Sequence, residues 1–521
     1  MDNIMTRTDY FTAAVCMVVM VVLSLPLAGS MTDDTYIHMQ YARNLAEAGE
    51  LSFNRGDPTY GATSPLWVFL LSIVYRLGGD MAHWSRILSL FFGVASVYLV
   101  YRLALKIGMG RYPSSLAAAI FASEAWVIRW SSVGMESSFA VFIVIAVIIS
   151  SLEVTRSSAR SLLFGTLLFL AYLVRPEALL LFPLAVISFM IFRGGAGVSR
   201  RFRWFFVYLP AMVIWLLMIK GHTGTWFPLT AGAKQGNIDF SSVLFTRAVV
   251  PARIITATVG IPLAALVLFL LFGIVRNRKL LFIDDERKRP GIFLSLIWIF
   301  ALPAAYLLID FQVISRYLIP VSPFIIILGT ASAAVFCERY LRRSSKIILS
   351  IFAALVMIQN VLFLNIVVVE PTKGFSDGLQ EVLVRMGIYL SENSDPDDLV
   401  AAPDIGAIGY YSGRRILDLG GLVTPEINTM RSTVDYETLI DRGEYLVFGA
   451  DYFLDRSTEP MRFKGRVIKG VIFTPVMSGT VSNLGIRQPG EVTYVLYRLN
   501  DISGRYLDET DDGLLEDDEH E

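Results

Sequence analysis

The chain has 521 residues, of which 54% are hydrophobic and only 17% are charged. Ordinary soluble domains carry about 25% charged residues, so this composition excludes that class and indicates an integral membrane protein. The formal net charge is -1, with basic residues between apolar runs and acidic ones concentrated at the end, which does not suit nucleic acid as a partner. Cys16 and Cys337 both lie in apolar runs and predict neither a disulfide nor a metal site.

Eleven apolar runs approach the length needed to cross a bilayer, which is roughly 17 to 25 residues. They cover 10–29, 84–107, 113–130, 135–152, 160–174, 178–192, 203–220, 252–275, 291–309, 318–337 and 347–368. A further run, Ser64–Leu77, is shorter and carries Arg76, so we predict an interfacial helix there. With this arrangement every strongly basic loop falls on the same side as Arg7. Because short cytoplasmic loops are rich in Lys and Arg, we predict a cytoplasmic N-terminus in the plasma or inner membrane.

The chain changes character after Val369. Short strand-like runs follow at Leu399–Ala402, Tyr445–Gly449 and Val492–Leu496, and a helix is predicted at Leu379–Ser391. We therefore predict an α-helical polytopic membrane domain, then an extracytoplasmic mixed α/β domain, then an acidic disordered tail. Their ranges are 1–369, with the first outer loop at 30–83, then 370–505 and 506–521.

The first outer loop opens with two adjacent carboxylates, Asp33 and Asp34, where the first apolar run should leave the bilayer. Ionisable groups near hydrocarbon are tolerated mainly when they do chemistry or find a partner, so this pair is a candidate functional site. Thr32 and the two aspartates are also suited to cap a helix carrying Tyr36–Ala48. The two interpretations are compatible.

Several other charged residues are predicted on the same outer side as the acidic pair. They are Arg129, Glu136, Arg175, Glu177, Lys234, Asp310 and Arg316. Each alone has an ordinary interpretation, as a helix breaker or a snorkelling side chain. Together they predict a site for an anionic substrate.

Group transfer from a phosphate-linked donor suits this combination of charges. A carboxylate near an acceptor hydroxyl can act as general base, and cations stabilise the charge that develops on a departing phosphate. A lipid-linked donor would hold its phosphate at the headgroup level of the bilayer. The cations of the outer set are predicted at that level, namely Arg129, Arg175, Lys234 and Arg316.

The segment DDTYIHMQYARNLAEAGELSFNRGDPTYGATSPLW resembles the first outer loop of polytopic GT-C-type glycosyltransferases. The nearest branch in appearance includes the mycobacterial terminal arabinofuranosyltransferases, with protein mannosyltransferases and lipid A aminoarabinose transferase similar in outline. The likeness continues through VGMESSF, VRPEALL, FPLTAGAK, SRYLIP and, in the tail, PDIGAIGYYSGRRILDLGGL. It extends over most of the chain.

This resemblance implies a membrane hexosyl- or pentosyltransferase with a polyprenyl-phosphate sugar donor and inversion at the sugar carbon. The acceptor is a glycan, lipid or protein outside the cytoplasm. The family's first-loop aspartate is the catalytic base, which carries over to Asp33, with Asp34 as second candidate. Glu136 and Glu177 would orient the sugar or acceptor. The full predicted binding set is Arg43, Arg129, Glu136, Arg175, Glu177, Lys234, Arg316, Tyr317, Tyr410 and Tyr411.

Four alternatives stay open. We interpret Tyr410 and Tyr411 first as a core element of the tail domain, and second as residues that shape acceptor binding. No metal site is predicted, although Asp33 and Asp34 would suit a divalent cation such as Mg²⁺ or Mn²⁺. A transporter or flippase of a lipid-linked or anionic substrate would also carry intramembrane charge, but the paired broken helices of transporters are not evident. A sensor or assembly subunit would function without Asp33.

Overall fold

The structure is a computed structural model that describes residues 5–192, 197–229, 240–276, 285–308, 313–431, 433–482 and 490–502. Lys234, Asp310 and the acidic segment 506–521 lie outside the described residues. The described chain forms a helical membrane domain followed by a mixed α/β tail domain.

The membrane domain is a bundle of helices. In chain order they are α1 (Arg7–Ser24), α2 (Asp33–Ala48), α3 (Pro65–Arg76), α4 (Met81–Lys106), α5 (Arg111–Ala122), α6 (Ala125–Ser132), α7 (Ser137–Ser151), α8 (Ser158–Val174), α9 (Leu181–Ile191), α10 (Val198–Phe202), α11 (Phe205–Thr223), α12 (Phe240–Arg276), α13 (Arg289–Leu308), α14 (Ser315–Leu318), α15 (Ser322–Tyr340) and α16 (Ser345–Phe363). Short 3₁₀ turns at Pro176–Leu180 and Ile319–Val321 lead into α9 and α15.

Seven helical segments of the described chain are long and apolar enough to cross a membrane. With the shorter apolar helices Ser137–Ser151, Ser158–Val174 and Pro176–Ile191, they match ten of the eleven predicted runs. The protein is therefore a multi-pass membrane protein. The predicted interfacial run forms α3, whose 12 residues extend about 18 Å at 1.5 Å per residue, less than a bilayer core of about 30 Å.

The remaining predicted run, 113–130, is not one continuous helix. It breaks between α5 and α6, where the carboxylate of Glu124 accepts a hydrogen bond from the Val127 backbone N–H and begins a new helix. Glu124 is fully buried. The buried Glu124 carboxylate therefore accepts from a free backbone N–H at the start of α6. The apolar run divides into α5 and α6 at this point.

One long helix joins the two domains. It runs from α16 through a π-helical turn at Leu364–Val369 into α17 (Glu370–Gly378), then through a second π turn into α18 (Arg385–Asn393). Pro371 has no N–H for the preceding turn, which accounts for the first π-helical irregularity. The predicted helix Leu379–Ser391 is the end of this continuous helix, which also passes through the predicted domain boundary after Val369.

The tail domain is built on a six-stranded mixed sheet in the order β2-β1-β3-β6-β5-β4. Its strands are β1 (Leu399–Ala402), β2 (Arg415–Asp418), β3 (Tyr452–Ser457), β4 (Val467–Ile468), β5 (Val471–Ser482) and β6 (Glu491–Asp501). Strand β1 is parallel to β2 and β3, and the remaining pairs are antiparallel. Three short helices complete the domain, α19 (Gly406–Ser412), α20 (Pro425–Arg431) and α21 (Tyr436–Asp441).

The strands predicted at Leu399–Ala402 and Val492–Leu496 are present as β1 and part of β6. The strand predicted at Tyr445–Gly449 is wrong, because the chain forms a 3₁₀ turn at Glu444–Phe448. Gly443 and Gly449 bracket this turn with φ of 60° and 70°. Left-handed glycines at both ends favour a tight turn over an extended strand.

Candidate functional site

Helix α2 begins with the acidic pair, so Asp33 and Asp34 occupy its first turn, where the partial positive charge of the helix stabilises carboxylates. The predicted cap by the Thr32 side chain is absent, since its hydroxyl contacts the Thr35 hydroxyl at 3.1 Å instead. The helix ends at Gly49, whose φ of 74° is typical of a C-terminal glycine. Tyr36 on this helix is fully buried.

The two carboxylates contact different parts of the protein. Asp33 accepts a hydrogen bond on each oxygen, from the backbone N–H of Gly406 to Oδ2 and of Ala407 to Oδ1, both at 2.8 Å. Asp34 forms an ion pair with the guanidinium of Arg316. The acidic pair therefore joins the tail domain on one side to the membrane helices on the other.

A buried charge network lies next to Asp34. Arg175 forms an ion pair with Glu136 and a second one with Glu177, in which Nε lies 2.6 Å from Oε1. The Nδ1 atom of His38 lies 3.7 Å from Oε2 of Glu136. Arg175 follows the last residue of α8 and is 4% exposed, whereas Glu136 immediately precedes α7 and is 1% exposed. Charges buried to this extent require partners of opposite sign.

Two arginines share one indole ring beside this network. The guanidinium carbon of Arg129 lies 4.5 Å from the ring centroid of Trp130, and that of Arg316 lies 5.7 Å from the same centroid. The Nε atoms of both arginines are buried and have no hydrogen-bond acceptor among the described residues. The Trp130 indole N–H donates to Ser315 Oγ at 2.9 Å, which fixes the ring. Two cations with unused donors form a site suited to an anion.

The Tyr317 ring contacts two of the guanidinium groups, those of Arg175 and Arg316. Its ring centroid is 5.0 Å from the guanidinium carbon of Arg175 and 5.1 Å from that of Arg316. The Arg316 Nη2 group also donates to the Tyr317 hydroxyl at 3.2 Å. The ring therefore attracts both positive charges through its π electrons.

The charges of this cluster divide evenly between three carboxylates and three guanidinium groups. Asp34 is paired with Arg316, while Glu136 and Glu177 are both paired with Arg175. Within the part of the chain that the structure describes, Arg129 has no ion pair with a carboxylate. It is the cation whose charge is least compensated by the protein.

The tail helix α19 lies directly on α2. Arg43 donates to the backbone carbonyl of Tyr410 at 3.1 Å, and its guanidinium carbon lies 4.9 Å from that ring. The Tyr36 ring centroid is 6.0 Å from that of Tyr410 and 5.6 Å from that of Tyr411. Three residues of the predicted binding set, Arg43, Tyr410 and Tyr411, therefore lie in the contact between the two domains.

The surroundings of Asp33 change its acidity. Burial and the charge of Asp404 together raise its pKa to about 7, against the opposing effect of the N–H groups of Ala407 and Gly406. Asp404 is itself held by Arg456 at 3.0 Å and by the Tyr494 hydroxyl at 2.7 Å. Asp33 is therefore a carboxylate whose ionisation falls in the neutral range.

Solved structures share this architecture at low sequence identity. ArnT from Cupriavidus metallidurans bound to undecaprenyl phosphate matches with a TM-score of 0.59 and 13% identity, over 93% of this chain and 97% of that one. The archaeal oligosaccharyltransferase AglB from Archaeoglobus fulgidus, in complex with an inhibitory peptide and a dolichol-phosphate, matches with a TM-score of 0.55 and 12% identity, over 86% and 70%. The arabinofuranosyltransferase AftD from Mycobacteria matches with a TM-score of 0.55 and 17% identity, over 95% of this chain and 42% of that one.

The chain has the GT-C fold. This likeness confirms the predicted fold class and concerns architecture alone at such identities. A family model described as a domain of unknown function matches residues 375–486, which lie in the second half of the long helix and the tail domain. No curated protein matches the sequence.

On this GT-C scaffold the structure brings together most of the charged residues that were predicted on the outer side. Asp34, Glu136, Arg175, Glu177, Arg316, Tyr317 and Arg129 form one connected cluster. Lys234 lies outside the described residues. Sequence reasoning missed Trp130, although an aromatic residue beside Arg129 is a signal for cation binding. It also missed the contact of Gly406 with Asp33, for which no local signal exists.

The divalent cation considered for Asp33 and Asp34 stays a prediction. The two carboxylates bind different partners, so an ion between them would compete with Gly406 and Ala407 on one side and with Arg316 on the other. Among the described residues, no group of three or more His, Cys, Asp or Glu side chains is arranged to hold a metal ion.

Proposed function

We propose that this protein is a membrane glycosyltransferase that moves a sugar from a polyprenyl-phosphate donor to an acceptor outside the cytoplasm. One observation carries the proposal. Arg129 and Arg316 share the Trp130 ring, and each keeps a buried N–H group with no acceptor in the described chain. A phosphate group would supply acceptors to both cations and relieve their mutual repulsion.

The position of these arginines suits a lipid-linked phosphate. Arg316 belongs to α14, at the start of the apolar segment Ser315–Tyr340, and Arg129 belongs to the short helix α6. Cations at the end of an apolar segment lie near the headgroup level of a bilayer. A donor whose chain lies in the bilayer would thus present its phosphate to Arg129 and Arg316.

Asp33 is the carboxylate best suited to act as general base. Its pKa of about 7 keeps it both substantially ionised and basic at neutral pH. Asp34 is less suitable, because its carboxylate is already engaged in an ion pair with Arg316. We therefore assign proton transfer to Asp33 and the orientation of Arg316 to Asp34.

In the proposed reaction, the acceptor hydroxyl oxygen bonds to the anomeric carbon as its proton passes to Asp33. The bond from that carbon to the phosphate oxygen breaks, and its electron pair leaves with polyprenyl phosphate. Attack from the face opposite the phosphate inverts the configuration. Arg129 and Arg316 stabilise the departing phosphate, while Glu136 and Glu177 orient Arg175 beside it.

The GT-C neighbours support the kind of substrate. ArnT is bound to undecaprenyl phosphate and AglB to a dolichol-phosphate, and AftD is an arabinofuranosyltransferase. We propose that this chain uses the same class of lipid carrier and transfers a hexosyl or pentosyl group to a glycan, lipid or protein. The basic loops further favour a plasma or inner membrane location, with the N-terminus in the cytoplasm and the tail domain outside.

The direct test is turnover by the purified protein in lipid, with a panel of polyprenyl-phosphate sugars and mixed envelope acceptors. Release of polyprenyl phosphate by the wild type, lost in Asp33→Asn at unchanged expression and thermal stability, is the expected result. Asp34→Asn is the matched variant and should retain part of the activity with weaker donor binding. Full activity in Asp33→Asn would contradict the assignment of the base.

A further inference from the structure

We infer that the tail domain completes the catalytic centre, with the backbone N–H groups of Gly406 and Ala407 positioning the Asp33 carboxylate and Asp404, two residues before Gly406, adding a negative charge to the same site. The inference rests on the proposed function, because it concerns how Asp33 acts as the general base. The inference assigns a role to the tail domain, which matches a family model described as a domain of unknown function.

The contact between Asp33 and Gly406 leaves no space for a side chain. A Cβ atom built on Gly406 would lie 2.0 Å from the Asp33 carbonyl oxygen and 2.7 Å from its Oδ2 atom. Real Cβ atoms do not approach oxygen this closely, so only glycine lets the two backbones meet. The close approach is what brings both N–H groups within 2.8 Å of the carboxylate.

The rest of the same interface holds the two domains in register. Asn54 of the first outer loop exchanges two hydrogen bonds of 2.9 Å with the backbone N–H and carbonyl of Ile416, which lies in β2. On the other side of α2, the Met31 N–H donates to Ser376 Oγ at 3.0 Å. Contacts on both sides of Asp33 therefore fix α2 to the tail domain and to the long helix.

Two N–H bonds hold the plane of the Asp33 carboxylate and leave one lone pair free on each oxygen. A base with a fixed lone pair is already oriented for an acceptor hydroxyl, so little reorganisation is needed during reaction. The same bonds favour the ionised form and would make Asp33 a weaker base. Burial and the charge repulsion from Asp404 offset this effect.

The charged and titratable groups around Asp33 come from several elements. Asp34 follows Asp33 in α2, and Asp404 precedes α19. The phenols of Tyr36 and Tyr494 interact electrostatically with the Asp33 carboxylate. Arg316 and Arg456 are paired with Asp34 and Asp404 respectively. Of the two neighbouring carboxylates, Asp404 raises the pKa of Asp33 more than Asp34 does. Asp404 is therefore the residue to substitute first.

The first experiment compares pH profiles of kcat/KM. In Asp404→Asn the acidic limb should move to lower pH by at least half a unit, because a negative neighbour is lost and Arg456 is freed. Asp455→Asn is the matched control, since Asp455 also pairs with an arginine of the tail, Arg462, yet lies outside the groups that act on Asp33. Its acidic limb should stay in place. An unshifted limb in Asp404→Asn would overturn the role of Asp404.

The second experiment tests positioning. Gly406→Ala should lower kcat at least tenfold with an unchanged donor KM, because the added Cβ displaces the carboxylate but not the phosphate site. Gly197→Ala is the control, since a Cβ there meets nothing within 4 Å. Wild-type kcat in Gly406→Ala would overturn the inference.

A third measurement does not need activity. Hydrogen exchange at the Gly406 and Ala407 amides of the full protein in lipid should accelerate at least tenfold in Asp33→Ala and not in Asp34→Ala. If this pattern holds but the wild type transfers no sugar, the proposed function fails while the contact stands. If transfer depends on Asp33 but the amides exchange equally in all variants, the positioning role is wrong.

Discussion

Arg129 and Arg316 face the same Trp130 ring, at 4.5 and 5.7 Å, and both keep a buried Nε–H without an acceptor in the described chain. Like charges so close together raise the free energy of a site unless an anion lies between them. Arg316 is neutralised by Asp34, whereas Arg129 has no such partner among the described residues. The pair is therefore the proposed site of the donor phosphate.

Arg129→Gln should weaken binding of polyprenyl phosphate about ten- to a hundredfold, since a hydrogen bond to a charged group contributes about 1.5–3 kcal/mol. Arg102→Gln is the matched control, because Arg102 also stacks on an aromatic ring, Tyr98, at 5.8 Å but lies outside the cluster. Native mass spectrometry of the two variants with polyprenyl phosphate measures the difference. Equal affinities would show that Arg129 does not contact the phosphate.

The dependence of activity on pH should report the ionisation of Asp33. Burial and Asp404 raise its pKa to about 7, and a base works only when it is deprotonated. Wild-type kcat/KM should therefore rise with pH, with a midpoint near 7 and a tenfold fall per unit below it. A steady-state profile between pH 4 and 9 checks this. A midpoint near 4 would indicate an ordinary exposed carboxylate as the base.

Glu136→Gln should lower the free energy of unfolding by about 3 kcal/mol, because it leaves Arg175 buried with one compensating carboxylate instead of two. Thermal unfolding in detergent measures the change. Glu286→Gln removes an exposed pair with Arg289, and should cost less than about 1 kcal/mol. Similar losses in the two variants would contradict a structural role for the Glu136–Arg175 pair.

Gly61→Ala should weaken the attachment of the first outer loop to the tail domain. A Cβ at Gly61 would lie 2.5 Å from the Tyr41 hydroxyl and 2.7 Å from the Leu422 carbonyl oxygen. Overpacking of this kind costs about 1–3 kcal/mol. Limited proteolysis should cut the first outer loop faster than in the wild type or in Gly197→Ala. An unchanged cleavage rate would show that Tyr41 and Leu422 accommodate the added methyl group without loss of stability.

Much of the fold was predictable because its signals are local. Apolar runs of spanning length indicated most membrane helices, and the acidic pair marked the start of α2. Glu124 shows the limit of that approach, since one buried carboxylate divided a run that composition alone treated as continuous. The turn at Tyr445 shows another, because the two flanking glycines outweighed the β propensity of the residues between them.

The candidate site was predictable in its residue types but not in its connections. Arg175-Pro176-Glu177 marked a break between helices, and the structure places its charges beside Glu136. The link between Asp33 and Gly406 joins residues 373 positions apart. No periodicity or motif reports such a contact, because it depends on how the tail domain packs on α2.

Sugar transfer from a lipid phosphate can be followed with a donor that is labelled separately in its sugar and its lipid. In proteoliposomes with acceptor outside, the sugar label should move to the acceptor while unsubstituted polyprenyl phosphate accumulates in equal amount. Asp33→Asn should bind the donor and release neither product. If both labels instead cross the bilayer together on an intact donor, the protein is a flippase and not a glycosyltransferase.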